Sequence, residues 1–386
     1  MRSIYCLTVG VLTTIVAASG SGVLSIPLKQ NAKGASIAQQ SYHAAARRHS
    51  GYALAPETLD GGFWYGSFNA GATRNLSLLI DTGSSDVSID PDLYKPSPSS
   101  LDLHQDGVLG YSTVEEDGCG TANISYHTYA DAVSFAGLTA CSQTFAVVIA
   151  KPPPNIGTIT QFPHQGIVGF SRTSASATQL DAVPFFQTSC NEGSVHGTGT
   201  QVLGATDRKS YDGHLVTVDA DPNEGFAFDG AITANGVTTL MGATIIPDSG
   251  TANVSSTCIA YSSFVLTDFR SSVLSDVRKL FDILGIQAVE QNLPGCTAVL
   301  FGYYPCDAPP TIGFSLGNST RSFDIEASVF QQADNGNNSC TAIVTGIALS
   351  PVNPLWIVGQ AWFQGKYVDF DQAGGKLGVA PLKTDS

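Results

Sequence analysis

Ile80-Asp81-Thr82-Gly83-Ser84-Ser85 and, far down the chain, Pro247-Asp248-Ser249-Gly250-Thr251 carry one short pattern twice: an aspartate, a hydroxyl residue, a glycine and a second hydroxyl residue. The first follows Leu76-Ser77-Leu78-Leu79-Ile80 and the second follows Thr244-Ile245-Ile246, apolar runs that predict a strand. Each strand would deliver its Asp into a turn, where Gly83 or Gly250 permits close backbone approach and the hydroxyls can hold the carboxylate by hydrogen bonds. One copy alone is a weak signal, because turn residues produce it by chance. Two copies imply two related halves, each offering one carboxylate to a shared site.

The 386 residues suit two lobes rather than one core. Only 13% of residues are charged, and 18 Lys+Arg against 32 Asp+Glu leave a net charge of -14, a surface that repels phosphate backbones and argues against nucleic acid as a partner. With so few basic groups, excess positive charge builds up only once the carboxylates protonate, which suits acidic media.

The apolar run Ile4 to Ala18 after Met1-Arg2-Ser3, with small residues Ser19 to Gly22, has the layout of a secretory signal peptide spanning 1–22. A membrane anchor is the alternative, but the run is short for a span, and no later segment is long and apolar enough to cross a bilayer. Residues 23–48 form a polar, Ala- and Gln-rich segment ending in Arg47-Arg48, which reads as a propeptide cut after Arg48. An ordinary N-terminal helix with a basic end is the other reading. Sequons at Asn75, Asn123, Asn253, Asn318 and Asn337 fit a secreted glycoprotein, although Asn253 lies too close to the second tetrad to expect a glycan there. The extracellular space, or else the vacuole, is the expected location.

From Phe63 onward short β-branched and aromatic runs alternate with Gly, Asn, Asp and Pro: Phe63 to Phe68, Leu76 to Ile80, Asp86 to Ile89, Ala132 to Phe135 and Phe145 to Ile149. They predict an all-β body. Helical periodicity is clear only in Ser272 to Leu284, where Val273, Val277, Leu280, Phe281 and Leu284 share one face. A junction around Thr206 to Gly213 would divide the body into lobes at 49–209 and 210–386.

Two facing turns would put Asp81 and Asp248 in contact, and like charges that close share a proton, so that one member is a base and the other an acid. Peptide hydrolysis by activated water needs that division. The chain resembles the pepsin-family aspartic endopeptidases, especially the secreted fungal type, and pepsin is itself the standard example of the shared proton. Ile26-Pro27-Leu28-Lys29 resembles the start of the family propeptide, and Tyr65-Gly66-Ser67 the first mature strand. Gly166-Ile167-Val168-Gly169-Phe170 and Trp356-Ile357-Val358-Gly359 resemble the two segments that cross the active-site loops, and Tyr367 to Pro381 the closing strands.

The likeness implies an all-β, bilobal fold with a deep inter-lobe cleft, a peptide or protein substrate, a monomer, and no cofactor. It makes Asp81 and Asp248 the catalytic pair, with Ser84 and Thr251 on the outer carboxylate oxygens, Thr82 and Ser249 locking the two loops, and Gly83 and Gly250 binding substrate backbone. It also pairs Cys306 with Cys340, and more weakly Cys258 with Cys296. Cys119, Cys141 and Cys190 stay unassigned, and Cys6 leaves with the signal peptide. No C-x-x-C pair is present, and no His or further acid flanks either tetrad with ligand spacing, so no metal site is expected. The seven histidines, including His104, His127 and His164, form no triad with a G-x-S-x-G serine and read as structural.

The likeness breaks at the cover of the cleft. In one register Ile124-Ser125-Tyr126 leads into the flap and Tyr126 takes the place of the family's tyrosine, leaving only His127 to Ala130 for a shortened turn before Asp131. The rival register takes Tyr111 to Gly118 as flap strand and turn and sets Glu115 at the tyrosine position. Ser88 stands where a tryptophan is usual, Pro247 removes an amide donor before the second Asp, and Gln165 and Gln360 stand where Asp is common. A shortened flap motivates a rival function: the same fold kept as a peptide- or protein-binding glycoprotein with little turnover.

Overall fold

The computed structural model describes residues 23–26, 57–60, 63–115, 118–135, 138–150, 165–172, 180–191, 208, 211–251, 254–258, 272–292, 298–348, 354–372 and 374–383. The signal segment, most of the propeptide and half of the expected lobe junction lie outside them, as does Cys296.

Among the described residues the protein is mostly β, with one sheet in each half and a third built largely from strands of the second half. The first half forms an eight-stranded sheet and the second an eleven-stranded one. The third sheet has four strands, in the order Val23–Ile26, Lys366–Asp371, Lys376–Pro381 and Val216–Asp219, so the first residues of the expected propeptide lie as an edge strand against the closing strands.

Both halves repeat one local topology around their tetrad. Strand Thr73–Asp81 runs parallel to Gly166–Gly169, which pairs antiparallel with Val87–Ile89. Strand Val237–Pro247 runs parallel to Pro354–Val358, which pairs antiparallel with Val254–Cys258. The central strands are apolar on both faces because both faces are covered: Leu78, Ile80, Val87, Ile89, Val168 and Phe170 are buried in the first half, and Ile232, Ile245, Phe314, Trp356 and Val358 in the second. The register of each strand decides where it releases its aspartate.

Helix Ser272–Leu284 forms where the periodicity places it. Val277, Leu280 and Phe281 are buried against the second core. It ends because Gly285 adopts φ +68° and Ile286 N–H donates to Phe281 O at 2.9 Å, the glycine-terminated cap that L side chains resist. Helices Phe185–Asn191 and Gln360–Phe363 were not legible, being too short to show a period.

The register with the shortened flap is corrected. Leu101–Glu115 and Gly118–Phe135 form one long hairpin that closes between Glu115 and Gly118. Residues 127–130, expected as a turn, pair on one side with Leu101–Glu115 and on the other with Leu138–Ala150. The physical reason is that Thr128 and Tyr129 favour strand, whereas Asp117-Gly118 is a strong turn signal further up the chain. Tyr126 therefore sits on the returning strand, not the leading one. It is half-buried beside Leu109, Ile124, Ala146 and Val148, and a side chain on its register partner Gly107 would fall 2.3 Å from its hydroxyl. Below the hairpin the buried Asp131 accepts bonds from Tyr94 Oη (2.8 Å), Ser97 Oγ (2.5 Å), Ser97 N (2.9 Å) and Ala132 N (2.8 Å). Burial alone would raise its pKa, but these donors outweigh it and hold the carboxyl below its usual range.

Cys306 and Cys340 are joined by a disulfide across 34 residues of sequence. Replacing both by Ser is expected to cost about 4 kcal/mol of stability, the loop-closure entropy returned to the unfolded chain, read as a lower urea midpoint.

Candidate active site

The two tetrads meet as near mirror images. Gly83 N–H donates to Asp81 Oδ1 and Gly250 N–H to Asp248 Oδ1, both at 2.8 Å. On the outer oxygens, Ser84 Oγ donates to Asp81 Oδ2, and Thr251 Oγ1 donates to Asp248 Oδ2 at 2.6 Å. The two carboxyl groups lie side by side next to Gly250. A Cβ on Gly250 would lie 2.6 Å from Asp81 Oδ1 and 3.1 Å from Asp248 Oδ1, and one on Gly83 would lie 2.6 Å from Asp248 Cγ. Each glycine thus clears the space occupied by the other half's carboxyl. Because both glycine amides are spent on carboxylates, any bond from these residues to a bound chain must come through their carbonyls.

Behind the carboxyls the loops are laced together. Thr82 N–H donates to Ser249 Oγ at 3.0 Å, and Ser249 N–H returns the bond to Thr82 Oγ1 at 2.9 Å. Thr82 Oγ1 donates to Pro247 O at 2.9 Å, and Ser249 Oγ to Ile80 O at 2.6 Å. Thr82 and Ser249 are both buried. The departure at Pro247 is harmless here, since the lacing uses its carbonyl and not an amide hydrogen. Gln360 has a part that sequence reasoning missed: its Nε2 donates to Ser249 O and its backbone N–H to Thr251 O, both at 2.7 Å, so it braces the second turn. Gln165 acts further out, where Oε1 accepts from Ser77 N–H at 2.6 Å. No pattern in the sequence reveals either contact, because both cross between segments remote along the chain.

The electrostatics of the pair follow from burial and proximity. Asp248 retains some exposed surface as a residue, yet its carboxyl lies deep enough that desolvation is the largest influence on it. Desolvation, then the charge of Asp81, push its pKa far above the carboxylate range, against the opposing bonds from Thr251 and Gly250. The pair therefore holds a proton where ordinary carboxylates have lost theirs.

This shift links folding to pH. The native protein keeps a proton on Asp248 that the unfolded chain releases above about pH 4. Stability from this group is fully present below that value and falls as pH rises through the folded pKa, by at most about 1.4 kcal/mol per pH unit. Asp248→Asn has no proton to lose, so urea midpoints measured between pH 4 and 7 are expected to decline less steeply than in the wild type.

Two adjoining carboxyls held by the same pattern of bonds, each on the loop of its own β lobe, are the arrangement of the aspartic-protease class. The sequence profile of the eukaryotic aspartyl proteases matches residues 64–382, and the chain belongs to that family. It is 25% identical to an aspartic protease of Phaffia rhodozyma over 406 residues, covering 94% of this chain and 93% of that protein. It is 23% identical to secreted aspartyl protease 1 of Malassezia globosa over 336 residues, 83% of this chain and 74% of that one. Pepsin A of Sus scrofa is 25% identical over 345 residues, 83% of this chain and 81% of that one.

Proposed function

We propose that this chain is an endopeptidase working at acidic pH, with Asp81 and Asp248 activating water between them. The observation that carries this reading is that the two carboxyls lie together beside Gly250, each fixed by an amide and a hydroxyl from its own turn. The ionised member accepts a proton from water, whose oxygen attacks the scissile carbonyl. The protonated member donates a hydrogen bond to that carbonyl oxygen as charge develops there. As the tetrahedral carbon collapses, the leaving nitrogen takes up a proton, the C–N bond breaks, and the pair returns to one shared proton. The glycine carbonyls are free to align an extended substrate.

The protein is secreted through residues 1–22, made with a propeptide at 23–48, and works as a monomer. Asn75, Asn318 and Asn337 are exposed, which supports glycans at those sequons. The rival reading as a non-catalytic binder drew on a shortened flap, and a hairpin running from Leu101 to Phe135 removes that motive. Incubating the processed protein with denatured haemoglobin from about pH 2.5 to 6, beside Asp81→Asn, tests the proposal. Cleavage by the wild type alone supports the enzyme, and equal absence in both supports the binder.

A further inference from the structure

On the flank of the hairpin, away from both tetrads in sequence, four chemically active side chains converge. The register of the two strands shifts there: Asp106 pairs with His127 and Asp102 with Tyr129, so Leu103, His104 and Gln105 all face Thr128. This wide bulge turns His104 back along its own strand. His104 adopts φ +54°, and its N–H donates to Asp102 Oδ1 at 2.7 Å. Bulges commonly serve to re-aim a side chain.

The result is a ligand set. Asp102 Oδ1 lies 2.7 Å from His127 Nε2 and 3.1 Å from His104 Nδ1, and the three ligand atoms all fall within 4.8 Å of one another. Two donors on a tetrahedral zinc ion sit about 3.3 Å apart, so small side-chain movements open this cluster to metal dimensions. The other nitrogen of His127 faces Asp106 Oδ1 at 2.5 Å. Nε2 likewise faces an acceptor, Asp102 Oδ1, so both ring nitrogens donate; a bound ion would take the place of the Nε2 hydrogen while Asp106 keeps hold of Nδ1–H, the carboxylate–histidine arrangement that orients a metal ligand.

His104 is 83% exposed and Asp102 40%, which gives an ion an entry path and leaves room for water as a fourth ligand. Imidazole with one carboxylate selects a zinc-like ion over calcium or magnesium, which take oxygen ligands.

We propose that Asp102, His104 and His127 bind a divalent transition-metal ion of the zinc type at the base of the hairpin, with Asp106 orienting His127. The ion joins the bulge of one strand to the body of its neighbour. It acts as a clip on the hairpin and takes no part in the chemistry at Asp81 and Asp248. The proposal stands whether or not the protein cleaves peptides.

The test is calorimetric titration of the full processed protein with Zn2+ at pH 7.5 after treatment with a chelator. One saturable site per chain is expected. His127→Ala and His104→Ala should each weaken it at least about tenfold, and Asp106→Asn by about ten- to a hundredfold through the loss of its hold on His127. His214→Ala, at an exposed histidine elsewhere, should leave it unchanged. As a second measurement, Zn2+ should raise the melting temperature of the wild type but not of His127→Ala, whose metal-free circular dichroism should match the wild type. No zinc binding by the wild type, or equal affinity in His127→Ala, would overturn the proposal.

Discussion

Asp81→Asn is expected to lower kcat for a peptide substrate by about a thousandfold or more while KM changes little, because general acid–base catalysis of this kind supplies about two to four powers of ten. The carboxamide has nearly the shape of the carboxylate. Its oxygen can still accept from Gly83 N–H, and Ser84 Oγ can rotate to accept from the new NH2. What disappears is the capacity to take a proton from water. The charge that helps to raise Asp248 goes too, so the Asp248 pKa should move back toward its ordinary value, while desolvation keeps it elevated. Steady-state rates across pH with a fluorogenic peptide check both outcomes. Retention of a tenth of wild-type kcat would remove Asp81 from the role of base.

The second large effect concerns the lacing behind the pair. Thr82→Val preserves shape but deletes a hydroxyl that accepts from Ser249 N–H and donates to Pro247 O. Both partners are backbone groups in a buried setting, and each such loss costs about 1–3 kcal/mol, so a fall of about 2–6 kcal/mol in unfolding free energy is expected by urea titration. Activity should drop further than stability alone accounts for, since both carboxyls hang from the loops this hydroxyl joins. A variant as stable as the wild type would show that the lobes are held together elsewhere.

Much of this was legible in the sequence for definite reasons. The tetrads were visible because turn chemistry is local: an Asp, two hydroxyls and a Gly within four residues describe their own hydrogen bonds. The helix at 272–284 was visible because thirteen residues span enough turns to show a period. The hairpin was misplaced because the chain offers two turn candidates, one within Tyr111 to Gly118 and one at His127 to Ala130, and cross-strand pairing, which is non-local, decides between them. Gln360 looked like a mere departure from the family pattern, and only the fold brings it against Ser249. The histidines read as structural for the same reason, since His104 and His127 are separated by an entire hairpin.

The reciprocal fit of the two turns bears on biosynthesis. Asp81 leaves the ribosome well over a hundred residues before Asp248, and until then no second carboxyl stands beside it and nothing fills the space next to Gly83. The nascent first half is therefore chemically inert. On the proposed function, the order in which the polypeptide is written withholds the paired site until the second half has been made.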